Sequence, residues 1–268
     1  MAHTIYDNFV LENKLDDLLE TAINLNQYAT QDNSLTETAG MKKSIHTYTS
    51  TGDVEDLQMG EGNTDEIEVS FTSKDYVVGV TQGKFAYYDE QEMKDPQVID
   101  AGLYGLATRM TNDLTDKIVA EYANATLKIT TPLTFDGIVD AIAKYPYESE
   151  EGLFLLINPA QKATLRKNLA DDLKYVEDFA RTGYIGSVCG VPVIVSKAVP
   201  AGKAYLATKE AVTIFTKKGA ETEQERNADI RKNTVFARKV MVVALTDATK
   251  VVEITVGAAP ASNPSVGA

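Results

Sequence analysis

Residues Ser44 to Ser73 hold seven acids, Asp53, Glu55, Asp56, Glu61, Asp65, Glu66 and Glu68, and neither lysine nor arginine. Like charges so crowded repel one another, and the stretch resists burial inside a compact body. Its two ends nevertheless read as strand. One extended piece lies around Ile45–Thr49. In the other, Ile67, Val69 and Phe71 alternate with Glu68 and Ser70, the two-residue period of a sheet with one apolar face. Gly52, Gly60 and Gly62 lie between the two pieces. The pattern predicts a hairpin that reaches away from the body. Its arms are read as about 14 residues long, a reach on the order of 45 Å at roughly 3.3 Å per residue. A lone two-stranded ribbon is marginal in water, so the hairpin is expected to rest on another molecule. The alternative is a mobile acidic loop.

The rest of the chain reads as α+β. Leu11, Leu15, Leu18, Ala22 and Leu25 step by four and three, which predicts a helix from Asn8 to about Gln27. Gln31–Gly40 is polar and reads as a linker. Asp75–Tyr88 alternates like a strand through Tyr76, Val78, Val80, Phe85 and Tyr87. The clearest helix follows over about 96–122, with Asp95 placed to cap it and Pro96 in its first turn. Ile99, Leu103, Leu106, Met110, Leu114, Ile118 and Tyr122 line one side of it. Gly102 and Gly105 weaken it intrinsically, so packing must hold it. Beyond Pro132 the pattern turns α/β. Thr134 caps a short helix with inner face Phe135, Ile138, Val139 and Ile142. The run Leu153–Ile157 suits a strand covered on both faces, and Asn158-Pro159 opens a helix to about Ala170. Tyr184–Ser196, Lys203–Thr208, Val212–Thr216, Thr234–Leu245 and Val251–Val256 read as strands. Lys217–Asp229 reads as a charged loop and the tail as disordered.

Little in the chain points to catalysis. A nucleophilic Ser or Cys needs a base, most often His, and only His3 and His46 exist. The single cysteine, Cys189, lies in the apolar stretch SVCGVPVIV, where a thiol behaves as a small hydrophobe. Clustered Cys and His for zinc are absent. The acids of the hairpin do not follow the calcium-loop spacing, although loose calcium binding stays open. Gly60-Glu61-Gly62 is a bare fragment of a phosphate-binding fingerprint. No catalytic residue, cofactor or metal site is therefore expected. Acids outnumber bases 39 to 26, a net charge of −13, which argues against a protein that grips nucleic acid by its phosphates. No apolar run reaches the roughly 18 residues of a membrane span, no signal peptide is legible at MAHTIYDNFV, and one cysteine fits a reducing compartment.

The order of parts resembles one known architecture. A helical arm, an extended hairpin, a long helix and a terminal α/β region follow one another as in major capsid proteins of tailed bacteriophages with the Hong Kong-97-type fold. GKFAYYDEQEMKDPQVIDAGLYGLATRMTNDLTDKI, from Gly83 to Ile118, is similar to the strand leading into their spine helix. GYIGSVCGVPVIVSKAVPAGKAYLAT, from Gly183 to Thr208, is similar to their glycine-rich turn and Pro-containing strand. The resemblance implies an N-terminal arm (1–43), an E-loop hairpin (44–76) and a P-domain (77–131) completed by late strands around 232–256. An A-domain (132–231) and a flexible tail (257–268) complete the division. It also implies a virion shell of pentamers and hexamers enclosing double-stranded DNA without sequence-specific binding, assembled in the host bacterial cytoplasm with portal and head-completion proteins.

Two departures shape the expectations. Some relatives link subunits covalently through an E-loop lysine, and Ser44–Ser73 has none, so the shell is expected to be non-covalent. Only about 40 residues precede the hairpin, so a separate scaffolding protein is expected. If the acidic hairpin lies on a neighbour, Glu61, Glu66 and Glu68 should meet cations such as Arg109, Arg226, Arg231 and Arg238, with Lys232 and Lys239 nearby. Leu57, Met59 and Phe71 would supply the apolar part of that contact. The alternative for these charges is plain solvated surface. Two rival functions stay open: an encapsulin-type compartment shell of the same fold, and a monomeric acidic hydrolase or binding protein.

Overall fold

The computed structural model describes Leu15, residues 25–169 and residues 186–257. Most of the helix expected over 8–27 therefore lies outside the described residues, as do His3, Ala170, Tyr184 and the tail from Ala258; a 3-10 turn covers Leu25–Tyr28. In chain order come strands β1 (Thr30–Asp32), β2 (Lys42–Thr51), β3 (Glu68–Val77) and β4 (Gly79–Tyr88). Helices α1 (Asp89–Lys94) and α2 (Val98–Tyr122) follow. Next are β5 (Leu127–Thr131), α3 (Phe135–Ala143), β6 (Leu153–Ile157), α4 (Pro159–Asn168), β7 (Ser187–Val188) and β8 (Val191–Val195). The last described strands are β9 (Lys203–Thr208), β10 (Val212–Asn227), β11 (Lys232–Leu245) and β12 (Val251–Val256). The strands form a β2-β3 ribbon, a four-stranded sheet β1-β10-β11-β4 and a six-stranded sheet β5-β12-β9-β6-β8-β7.

The long helix is held by interlocking glycines. A Cβ on Gly102 would stand 2.5 Å from the Phe85 ring, and one on Gly83 would stand 2.3 Å from Leu106 Cδ1. Each element thus seats a large side chain in the gap the other leaves, and α2 lies close on β4. Ile99 and Leu103 pack with Tyr87 and Val235; Leu106 and Met110 pack with Ala220, Ala237 and Leu15. Farther along, Leu114, Ile118 and Tyr122 enter the core beneath the six-stranded sheet. Asp95 does not cap this helix. Its carboxylate accepts from the Gln97 N–H at 3.0 Å, and Val98 N–H bonds to its carbonyl, so it closes a turn just before a helix that starts at Val98 without a side-chain cap.

The run Leu153–Ile157 is buried at all five positions. Leu153, Leu155 and Ile157 join α3 and α4, while Phe154 and Leu156 join the end of α2. A continuous apolar strand is what two covered faces require. Asn158 caps α4 by accepting from Ala160 N–H at 3.0 Å, and the Gln161 side chain accepts from the Asn158 N–H at 2.8 Å. The Thr134 hydroxyl accepts from Gly137 N–H at the start of α3.

Four local expectations are corrected. Phe135 and Val139 are not on the inner face of α3; they are 47% and 43% exposed, and Gly137, Ile138 and Ala141 face inward. A Cβ on Gly137 would meet the Pro132 carbonyl at 2.1 Å, so this edge of α3 is drawn onto the preceding loop and the larger residues rotate outward. Lys217–Asp229 is not a loop: β10 continues to Asn227 and stays paired with β11 through Asn227 opposite Lys232. Two register shifts around Lys218 break the alternation, and the buried residues within and beyond the second are the small Ala220 and Thr222. Tyr184–Ser196 is not one strand, since β7 and β8 turn at Cys189-Gly190 with φ of 52° and 81°, the left-handed pair of a tight hairpin. The supposed linker after Gln31 begins inside β1, which runs parallel to β10, and Leu35 is buried with Phe215.

The sheets also cross the expected segment boundaries. β10, from the 132–231 part, lies between β1 and β11, whereas β12, from the 232–256 part, lies between β5 and β9.

Candidate assembly surface

Ten residues of β2 pair with ten of β3, from Lys42 opposite Val77 to Thr51 opposite Glu68. At about 3.3 Å per residue the paired ribbon is roughly 33 Å long, shorter than the sequence suggested because residues 52–67 at its end form no strand. Opposed residues share a face, so the register sorts the side chains. One face carries His46, Tyr48 and Ser50 opposite Ser73, Phe71 and Val69; the other carries Thr47, Thr49 and Thr51 opposite Thr72, Ser70 and Glu68.

Among the described residues, only the base of the ribbon is attached to the body. Tyr76 is buried with Val78, Phe215 and Ala244, and Ile45 packs beside them. Lys42 pairs with Asp75 at 2.6 Å, and the Ser44 hydroxyl donates to the same carboxylate at 2.5 Å. These two donors hold the Asp75 carboxyl below its ordinary range. Lys43 stands over the Phe215 ring, and Lys74 stands over Tyr76 and 3.8 Å from Glu121. At the far end the Glu55 carboxylate accepts from the Thr64 hydroxyl and N–H, which lowers its pKa.

Between base and tip the apolar face has no cover among the described residues. Tyr48, Val69 and Phe71 are 68%, 65% and 67% exposed, and Ile67, Leu57 and Met59 are exposed as well. Among the described residues the Phe71 ring meets the rings of two ribbon partners, Tyr48 at 6.3 Å and His46 at 6.1 Å between centroids. An apolar strip of this kind, rimmed by acids on a projecting ribbon, marks a contact site for another molecule.

The structure brings the predicted arginines together with acids of their own chain. Arg226 Nη2 lies 2.8 Å from Asp89, Arg231 Nη2 2.8 Å from Glu90, and Arg238 bonds to Glu221 at 2.8 Å and Glu223 at 2.9 Å. Sequence alone gave no signal for these pairs, because β4, β10 and β11 meet only in the folded sheet. Arg109 is exposed on α2 and forms no ion pair among the described residues. Glu61, Glu66 and Glu68 are exposed near the tip. His46 sits on the ribbon, and Cys189 lies in the β7–β8 turn, where burial raises its thiol pKa, the opposite of nucleophile activation. Among the described residues no group of three or more His, Cys, Asp or Glu is placed to hold a metal. No described helix is long and apolar enough to cross a membrane.

A body of two sheets braced by one long helix, with a ribbon that leaves its apolar side bare, is the form of a subunit completed by neighbours. The chain belongs to the phage capsid protein family, which matches residues 72–254. The match begins within β3, so most of the ribbon lies outside it. A major capsid protein of Staphylococcus phage phiMR11 is 25% identical over 248 residues, covering 89% of each chain. Among solved structures, the capsid of an empty GTA particle superposes with a TM-score of 0.70 at 11% identity, covering 88% of this chain and 90% of that one. The mature capsid of bacteriophage PhiM1 gives 0.67 at 10% identity, with 90% and 89% covered. The Hong Kong-97-type fold is thereby established, and membership of a capsid family implies a structural role.

Proposed function

We propose that this chain is the major capsid protein of a phage head, whose copies form the pentamers and hexamers of an icosahedral shell around double-stranded DNA. The observation that carries the reading is the uncovered strip Tyr48, Val69 and Phe71 on a ribbon anchored only at its base. In the shell the ribbon of each subunit lies across the next, and the strip is buried there with Leu57 and Met59. The phage family match and the phage relative favour a head over an enzyme-bearing compartment of the same fold.

In this reading hairpin 44–76 acts as the E-loop, α2 as the spine, and the six-stranded sheet with α3 and α4 as the A-domain. Glu61, Glu66 and Glu68 approach cations of the neighbouring subunit. Arg109 is the first candidate, whereas Arg226, Arg231 and Arg238 must exchange their present partners. Such exchange is affordable for exposed pairs, which are worth about 0–1 kcal/mol each. The acidic wall (net charge −13) suits DNA that is driven inward by a motor. A separate scaffold, a portal and assembly in the host cytoplasm belong to the same proposal.

The test is electron microscopy and nuclease-protected nucleic acid on particles purified from phage-producing cells. Shells holding DNA are expected; shells holding an enzyme, or a protein that stays a 29 kDa monomer at every concentration, overturn the reading. Charge reversal at Arg231 and Arg238 is expected to weaken assembly in a salt-dependent way, and unchanged assembly removes these two from the contact. Denaturing electrophoresis is expected to release single chains, not a ladder of linked ones.

A further inference from the structure

The six-stranded sheet carries two helices on one side. Ile138 and Ala141 of α3 and Leu165 of α4 enter the same core as Leu153, Leu155 and Ile157. Their outward faces differ in kind. On α3, Asp136 and Asp140 stand one turn apart and are exposed beside Phe135 and Val139, which are 47% and 43% exposed. On α4, the half-buried Lys162 and the exposed Arg166 also stand one turn apart, in a helix without a single acid. Residues four apart on a helix are neighbours about 5–6 Å apart, so the two carboxylates and the two cations present matching spacings of opposite charge. Although both helices lie on one side of one sheet, none of the four charges forms an ion pair among the described residues.

We infer that the outward face of α3 in one subunit packs along the outward face of α4 in a second copy of this chain. Phe135 and Val139 form the apolar centre of the contact, and the two acid–base pairs set its register. Because the two faces are different surfaces, the contact is head-to-tail, and a rotation that closes turns its repetition into a ring. This is what a pentamer or hexamer requires. The inference rests on the shell reading above but does not involve the ribbon, so the two contacts fail separately. Exposed pairs add little affinity singly, but like charges set opposite one another cost several kcal/mol and exclude wrong registers.

The experiment uses the full chain and compares three variants: Asp136→Lys with Asp140→Lys, Lys162→Glu with Arg166→Glu, and all four together. Capsomer formation is followed by sedimentation velocity as a function of concentration, with circular dichroism to verify that each variant keeps its helix content. Each two-site reversal is expected to raise the concentration needed for rings by roughly tenfold or more, and the four-site swap to restore it to near wild type. Rings that form equally well in all three variants overturn the inference while leaving the shell reading intact. So does a four-site swap as impaired as its parents. An effect confined to the Lys162 and Arg166 reversal, with the acidic face indifferent, assigns α4 to a phosphate-bearing partner such as DNA and also overturns it. A wild-type chain that forms no rings or shells at all removes the shell reading itself. Phe135→Ser with Val139→Ser is expected to abolish rings without lowering the helix content.

Discussion

Replacing Tyr48, Val69 and Phe71 together by serine separates folding from assembly. In the single subunit these side chains are 68%, 65% and 67% exposed, so about a third of each is covered by its own chain. Full burial of such a side chain is worth roughly 1.5–3 kcal/mol. The covered third then represents ~0.5–1 kcal/mol per residue within the subunit, and the exposed remainder ~1–2 kcal/mol per residue at a contact. The losses within the subunit fall on the ribbon, whose strip is not part of the buried clusters of the body. The urea midpoint of the body should hardly move. At the contact the three losses sum to roughly 3–6 kcal/mol, or about two to four decades in the association constant. Sedimentation velocity measures the association, and urea unfolding followed by circular dichroism measures the body. A triple variant that assembles at the wild-type concentration refutes the burial of this strip between subunits. So does one whose body unfolds several kcal/mol sooner, since the strip would then belong to the subunit's own core.

Two glycines on one helix should behave oppositely. Gly102→Ala drives a methyl into the Phe85 ring and is expected to destabilise the subunit by about 1–3 kcal/mol. Gly105→Ala meets nothing within 4 Å and should stabilise it by about 0.5–1 kcal/mol, both read from urea unfolding. Asn158→Ala removes the cap of α4 and its bond to the Val199 carbonyl at 2.7 Å, at an expected cost of about 1–2 kcal/mol. The Asp75 carboxyl is held low first by Lys42 and then by Ser44, so its contribution is present above the ordinary carboxylate range and is lost as pH falls through the lowered value. Amide exchange in β2 and β3, corrected for intrinsic rates, should therefore quicken below about pH 4. Asp75→Asn should remove that acid-side step, and an unchanged step would assign the transition to another group.

Local chemistry made much of this architecture legible in advance. Alternation and crowded acids announced the β2–β3 ribbon, five consecutive apolar residues announced β6, and Asn158-Pro159 announced α4. What stayed hidden depended on partners distant in sequence. The outer half of β10 looked like a charged loop because Glu221, Glu223 and Glu225 are conspicuous, while the inward Ala220 and Thr222 are small. Phe135 and Val139 looked like core because periodicity identifies an apolar face but not the direction in which Gly137 lets the helix turn. Arg226, Arg231 and Arg238 looked available for a neighbour because Asp89, Glu90, Glu221 and Glu223 reach them only once the sheet has formed. The apolar edge of the ribbon was visible in the sequence. Its exposure was not, and exposure is what turns it into a candidate contact.

The most direct measurement is an electron cryomicroscopy structure of the assembled particle at side-chain resolution. In that particle the rings of Tyr48 and Phe71 and the Val69 side chain should pack against the adjacent subunit, with the ribbon spanning the junction. A particle in which that strip still faces solvent, or lies against the body of its own subunit, contradicts it.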